Sequence, residues 1–284
     1  MKIAITGAAG QLGRDLLAEL APRHDCHGLT RAEADVTDYA ALSGCLESLR
    51  PDLVIHSAAY TDVDGCEREP DRAYRVNAIG AWNAAAAAHA CGAAVAVIST
   101  DFVFDGAKRV PYTEFDATNP LSHYGASKRA AEQAAMAANP RSYVIRTQWL
   151  YGVHGRNFPY AILRAAARGE VKVVADQVGA PTYSPDLARM IGQIIATPRY
   201  GIYHANNAGS CSWYEFAVEL YRLAGLDPTI LRPIPSSEYP TPTHRPAYSV
   251  LRRYALELMC LDDVRPWQEA ARQFIEGAQA AGKL

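Results

Sequence analysis

The chain has 284 residues, 49% of them hydrophobic and 20% charged, which is enough for one large core or two unequal ones. Its net charge is −2 and it carries no run of basic residues, which argues against nucleic acid or an anionic membrane as partner. The six cysteines (Cys26, Cys45, Cys66, Cys91, Cys211 and Cys260) form no C-x-x-C pair and do not cluster with histidines, so they are expected as small buried hydrophobes in a reduced interior rather than as disulfides or zinc ligands.

The opening "KIAIT" predicts a strand, and "QLGRDLLAEL" after it predicts a helix with Leu12, Leu16, Leu17 and Leu20 on one face. No basic leader or cleavage site precedes this strand, so a cytoplasmic location is expected. A second strand is expected near "DCHGLT", then a helix over "TDYAALSGCLESLR" capped by Thr37 or Asp38. "DLVIHSAA" predicts a third strand and "EREPDRAYRVNAIGAWNAAAAAHA" a long helix stopped at Gly92. "AAVAVIST" is a buried strand; with Asn83, His89 and Gly92 interrupting, this apolar region is no membrane span. A helix from Tyr124 leads to the strand "SYVIRT". Strict alternation predicts an α/β fold, a Rossmann-like doubly wound parallel sheet covered on both faces.

Beyond about residue 150 the pattern loosens, with mixed strands and helices and a proline-rich "PIPSSEYPTPTHRP". We read residues 1–150 as a dinucleotide-binding domain and 151–284 as a smaller, irregular substrate-binding domain. Segments near 184–207 are expected to return to the first.

Gly7, Gly10 and Gly13 form G-x-x-G-x-x-G between the first strand and first helix. Such a loop lets backbone approach a pyrophosphate, which then meets the free N–H groups and positive end of the helix. At the end of the second strand an NAD site usually carries Asp or Glu for the ribose 2′-hydroxyl. Here Thr30 and Arg31 take that place, and Arg31 could pair with a 2′-phosphate. This favours NADPH, while Glu33 nearby leaves NADH open.

Tyr124 and Lys128 stand four residues apart and share a helical face. A free phenol, with a pKa of about 10, shuttles protons poorly at neutral pH. A nearby ammonium favours the phenolate, so Lys128 is expected to lower the Tyr124 pKa. Tyr124 could then act as general acid toward a carbonyl oxygen as hydride reaches the carbon. Lys128 could also hold the nicotinamide ribose. Thr100 ends the buried strand, at the sheet rim where α/β proteins bind ligands, and is placed to hydrogen-bond the same carbonyl.

"GAAGQLG", "AAYTDVDGCE", "VN", "STDFVFDG", "YGASK", "RTQWLYG", "DQVGAPTY" and "RPAYSVL" together resemble the dTDP-4-dehydrorhamnose reductase family, extended short-chain dehydrogenases/reductases, from the first strand to about residue 251. The resemblance implies reduction of C4 of dTDP-4-dehydro-β-L-rhamnose by NADPH or NADH. It makes Tyr124 the proton donor, Lys128 its partner and Thr100 the carbonyl anchor. Thr100 and Asp101 would contact the sugar, and Trp149 would pack against it. Gly10, Gln11 and Leu12 would line the pyrophosphate, and Asp35 and Val36 the adenine. Ala59, Tyr60 and Thr61 would border the cofactor. Asn77 matches the asparagine of the long helix, and Arg245 would clamp the diphosphate, since guanidinium binds paired oxygens well.

Some positions depart from the family pattern. Phe102 replaces a frequent tyrosine, His56 and Ser57 replace an Asn-Ala start, Gln148 replaces a frequent serine and Arg252 an acid or amide. No match to the acidic magnesium ligands of some members is found, so no metal is expected; a homodimer stays open. Phe102 after Asp101 lacks the acidic pair of a 4,6-dehydratase. An epimerase, or a dinucleotide-binding regulatory subunit like that of methionine adenosyltransferase, stays open as an alternative.

Overall fold

A computed structural model describes residues 1–284, the side chain of Arg168 excepted. The first half runs β1 (Lys2–Thr6), α1 (Gln11–Leu20), β2 (Asp25–Leu29), α2 (Tyr39–Leu49), β3 (Leu53–His56), α3 (Val63–Arg68), α4 (Pro70–Ala73), α5 (Gly80–Ala90), β4 (Ala94–Thr100), α6 (His123–Ala138) and β5 (Ser142–Thr147). The second half runs β6 (Leu150–Tyr151), α7 (Phe158–Ala165), β7 (Val171–Val174), β8 (Val178–Gly179), β9 (Thr182–Tyr183), α8 (Ser184–Ile195), β10 (Gly201–His204), β11 (Cys211–Ser212), α9 (Trp213–Leu223), β12 (Leu231–Ile234), α10 (Tyr254–Leu258) and α11 (Trp267–Ala280).

Six parallel strands form the central sheet in the order β10-β5-β4-β3-β1-β2. Successive residues of a strand point to opposite faces, and both faces are buried. Ile3 and Ile5 pack with Leu12, Leu16 and Leu20 of α1 and with Leu187 and Ile191 of α8. Ala4, between them, faces the other way, with Leu42 and Leu46 of α2 and the alanines of α5. Small side chains let α5 and α6 lie close against the sheet. A separate aromatic core, including Tyr151, Phe216 and Phe274, holds α7, α9 and α11 together.

The expected long helix is instead broken. Pro70 opens α4 at its first turn, and Tyr74–Ile79 winds as a π-helical turn before α5. That turn carries Asn77, whose amide accepts from Tyr60 N and donates to Tyr60 O and to Ser127 Oγ. Side-chain bonding to two neighbouring segments accompanies the altered winding. Gly92 follows α5 at φ 78, the left-handed stop that its sequence position suggested. Among the described residues no helix is long and apolar enough to cross a membrane.

All six cysteines are free. Cys66 and Cys211 are buried, whereas Cys26, Cys45 and Cys91 are half-buried. Cys260 is exposed, because it sits at φ 55 in the turn that ends α10, and so corrects the expectation of a buried hydrophobe there.

Candidate active site

Chain order in the sheet reverses between β1 and β3: from β1 the chain moves out to β2, then back to β3 on the other side. A crevice opens outside the carboxyl ends of strands at such a switch point. Here it is a cleft of about 1360 Å³, more than the ~300–1,000 Å³ typical for one drug-sized ligand.

The glycine loop forms its floor. Gly7 adopts φ 69. A Cβ on Gly13 would stand 2.3 Å from the Gly7 carbonyl oxygen, so only glycine lets α1 start this close to β1. Gly10 caps α1 without a side-chain hydrogen bond, and first-turn N–H groups of a helix have no intrahelical partner. Gln11, Leu12 and Gly13 of that turn line the cleft. A glycine-lined loop ending on the first-turn donors of α1 fits a pyrophosphate. Gln11 also accepts from Asn157 Nδ2 at 3.0 Å, which ties the loop to the second half.

The strand ends beside it are fastened. Thr6 Oγ1 and His56 Nδ1 lie 3.0 Å apart, and Ser57 Oγ donates to the Thr6 carbonyl at 2.6 Å. His56 is buried, and burial pushes its imidazole down to about 3. Ala59, Tyr60 and Thr61 follow β3 along the cleft wall.

At the adenine end of the expected cofactor path, Thr30, Arg31, Asp35 and Val36 reach the cleft. Asp35 accepts from Thr37 N and Oγ1 through one oxygen and from Arg31 Nε, at 3.1 Å, through the other. Arg31 is 85% exposed, so this bond holds it only lightly at the rim. Glu33 accepts from Thr30 N at 2.8 Å and from its hydroxyl at 2.7 Å, which engages that carboxylate locally.

Thr100, Asp101, Tyr124 and Lys128 line the same cleft as the glycines. Ser122 caps α6 by accepting from Gly125 N, which starts the helix one residue before Tyr124. Thr100 Oγ1 donates to Asp101 Oδ1 at 3.0 Å. Burial pushes the Asp101 carboxyl up to about 6, opposed by the Ser249 and Thr100 hydroxyls. Phe102 lies edge-on to the Tyr124 ring at 5.4 Å.

The expectation that Lys128 lowers the Tyr124 pKa is not met. Enclosure pushes the phenol above its ordinary value, with the Thr100 hydroxyl opposing and the Asp101 charge adding to the rise. Lys128 is itself buried, which pulls its amine down to about 8, and its Nζ donates to the Ile98 carbonyl at 2.6 Å. The phenol is protonated at neutral pH even at its ordinary value, and the rise makes it a weaker acid.

Trp149 and Arg245 also line the cleft. Trp149 holds φ 46 and stacks on Trp213, centroids 3.5 Å apart and planes 9° from parallel, with Phe158 against Trp213. Arg245 bonds both oxygens of Asp64 on α3 at 3.3 Å, and Thr243 Oγ1 donates to Asp64 at 2.8 Å. Sequence reasoning missed Trp213, Phe158 and Asp64. Ser212-x-x-Glu215 does mark the start of α9, but nothing local says that its first residue turns into the cleft.

Comparison with known proteins decides the family. The RmlD substrate binding domain model matches residues 1–280. The chain belongs to this family. Among relatives, the spore coat polysaccharide biosynthesis protein SpsK of Bacillus subtilis is 40% identical, with 99% of each chain covered. The dTDP-4-dehydrorhamnose reductase of Mycolicibacterium smegmatis is 41% identical, over all of this chain and 88% of its own. Two solved structures are similar to this chain. A dTDP-4-dehydrorhamnose reductase from Clostridium acetobutylicum superposes at TM-score 0.95 with 44% identity, covering 98% of this chain and all of that one. The one from Bacillus anthracis, in complex with NADP, superposes at 0.93 with 39% identity over the same shares.

Proposed function

We propose that the chain reduces the C4 ketone of dTDP-4-dehydro-β-L-rhamnose to give dTDP-β-L-rhamnose, with NADPH as preferred cofactor and NADH as a weaker one. The observation that carries this is the meeting of Tyr124, Lys128 and Thr100 with the glycine loop in one cleft. Family relatives named for this reductase activity, and one solved with NADP, support it.

When bound, the nicotinamide supplies hydride to the ketone carbon. The chain does the rest. Tyr124 gives its proton to the ketone oxygen. The Thr100 hydroxyl donates to the same oxygen. Lys128, as an ammonium, donates to the ribose hydroxyls. Gly10, Gln11 and Leu12 receive the cofactor pyrophosphate, and Arg31 its 2′-phosphate. Asp101 and Trp149 hold the deoxyhexose, and Arg245 binds the substrate diphosphate. The enzyme works in the cytoplasm, and its partner is the nucleotide sugar.

An epimerase or a regulatory subunit would not consume cofactor. Nicotinamide absorbance followed with freshly made dTDP-4-dehydrorhamnose, with each cofactor in turn, tests the reading. Stoichiometric loss of reduced cofactor is expected; a flat trace with both cofactors overturns it.

A further inference from the structure

Behind Lys128, away from the cleft, lies a buried ion pair that the proposed chemistry does not use. Glu132 follows Lys128 by one helical turn and shares its face of α6. Both residues are buried. Arg146 grips the Glu132 carboxylate with two nitrogens, Nε at 2.8 Å and Nη2 at 2.7 Å, and Ser99 Oγ donates to Oε1 at 2.5 Å. Arg146 also lies over the Phe104 ring, 5.1 Å from its centroid. Glu132 makes no direct bond to Lys128, whose Nζ is taken by the Ile98 carbonyl.

A buried ion pair seldom adds net stability, because desolvating two charges costs about what their attraction returns. Its value here is positional. Ser99 precedes Thr100 at the end of β4, Arg146 sits in β5 three residues before Trp149, and Glu132 sits on the helix that carries Tyr124 and Lys128. One carboxylate therefore joins the three segments that carry or lead into Thr100, Asp101, Tyr124, Lys128 and Trp149. We propose that Glu132 is a positioning residue for the reduction: clamped by Arg146 and Ser99, its carboxylate fixes α6 against β4 and β5 and supplies the negative charge that keeps Lys128 an ammonium.

The other ionisable groups around Lys128 leave this task to few. His56 from β3 is neutral, its pKa pushed down to about 3 by burial. The Cys66 thiol from α3 is raised to about 11 by burial and stays neutral, as does the Tyr124 phenol on the same helix. Asp101, in the short turn after β4, ionises above about 6. Arg146 from β5 is positive and opposes the lysine's charge. The charged residues of α4, the π turn and α5 (Asp71, Arg72, Arg75 and His89) are exposed. Burial lowers the Lys128 amine, and the Glu132 charge is what works against that fall.

The inference rests on the reductase reading, and the test separates the two. Glu132→Gln and the paired variant Glu132→Leu/Arg146→Met are compared with wild type for NADPH binding, melting temperature and the pH profile of kcat. The pair is included because Glu132→Gln strands a buried guanidinium, whereas apolar replacement of both partners is commonly tolerated. In the paired variant, which loses the Arg146 charge as well, kcat is expected to fall at unchanged NADPH affinity; in folded Glu132→Gln that still binds NADPH, the alkaline limb is expected to move down by about one pH unit. On that limb turnover then falls about tenfold below wild type. A wild-type pH profile in folded Glu132→Gln overturns the proposal, as does a wild-type kcat in the paired variant, and so does failure of both variants to fold, which would make Glu132 a structural residue alone. A wild-type protein that does not turn over the sugar nucleotide defeats the reductase reading instead.

Discussion

The Gly179 α-carbon lies so close against the Trp149 indole that a Cβ there would stand 2.5 Å from Cε2 and 2.7 Å from Nε1. Trp149 also stacks on the Trp213 ring, which holds the indole where it is. Gly179→Ala is expected to push the indole off its stack, with an overpacking cost of about 1–3 kcal/mol. The KM for the sugar nucleotide should rise while NADPH affinity stays. Titration of both ligands, with a thermal melt, checks this; unchanged KM would remove Trp149 from the sugar site.

Tyr124→Phe removes the proton donor and keeps the ring that meets Phe102 edge-on. Turnover should fall about 10²-fold or more, with little change in nucleotide binding. Steady-state rates beside fluorescence titration of NADPH decide it, and an unaltered rate would take Tyr124 out of the chemistry.

Arg31 has no firm hold on its surroundings beyond Asp35, and lies where a 2′-phosphate could draw it in. Arg31→Ala should weaken NADPH by about tenfold or more, the loss of a charge-assisted contact, and leave NADH nearly unchanged. Equal losses for the two cofactors would say that this guanidinium does not read the phosphate.

His56 and His204 are buried, and burial holds both near 3. An unfolded histidine titrates near 6.5. Between these values the unfolded chain takes up protons that the folded one refuses, so stability rises with pH there. The contribution is complete above about 6.5 and drains away as the pH falls toward 3. Denaturant midpoints measured from pH 7 to pH 4 should decline steadily, and His204→Gln, if folded, should flatten the slope.

Much of this site is legible in sequence because its chemistry is local. The glycine spacing after β1, the strand end at Thr100 and the four-residue step from Tyr124 to Lys128 each declare themselves within one element. The lowered phenol expected for Tyr124 failed for the opposite reason. Spacing shows that a lysine is near, but not that both groups are walled in or that the Ile98 carbonyl takes the amine. Trp213, Asp64 and Glu132 were missed because their partners are far along the chain: Arg245 meets Asp64 across 181 residues. The π turn at Asn77 was hidden too, since its winding answers to Tyr60 and Ser127 rather than to a neighbouring residue.

Strand β10 has a practical consequence for anyone dividing the chain. It is the last strand of the main sheet yet comes from residues 201–204, and it pairs with β5, all of whose residues are buried. A fragment stopped at residue 150 would leave β5 as a bare sheet margin of apolar side chains and open amide and carbonyl groups. Such a margin recruits other copies by edge-to-edge pairing. The half that holds the nucleotide loop therefore stays out of aggregates only while the other half is attached.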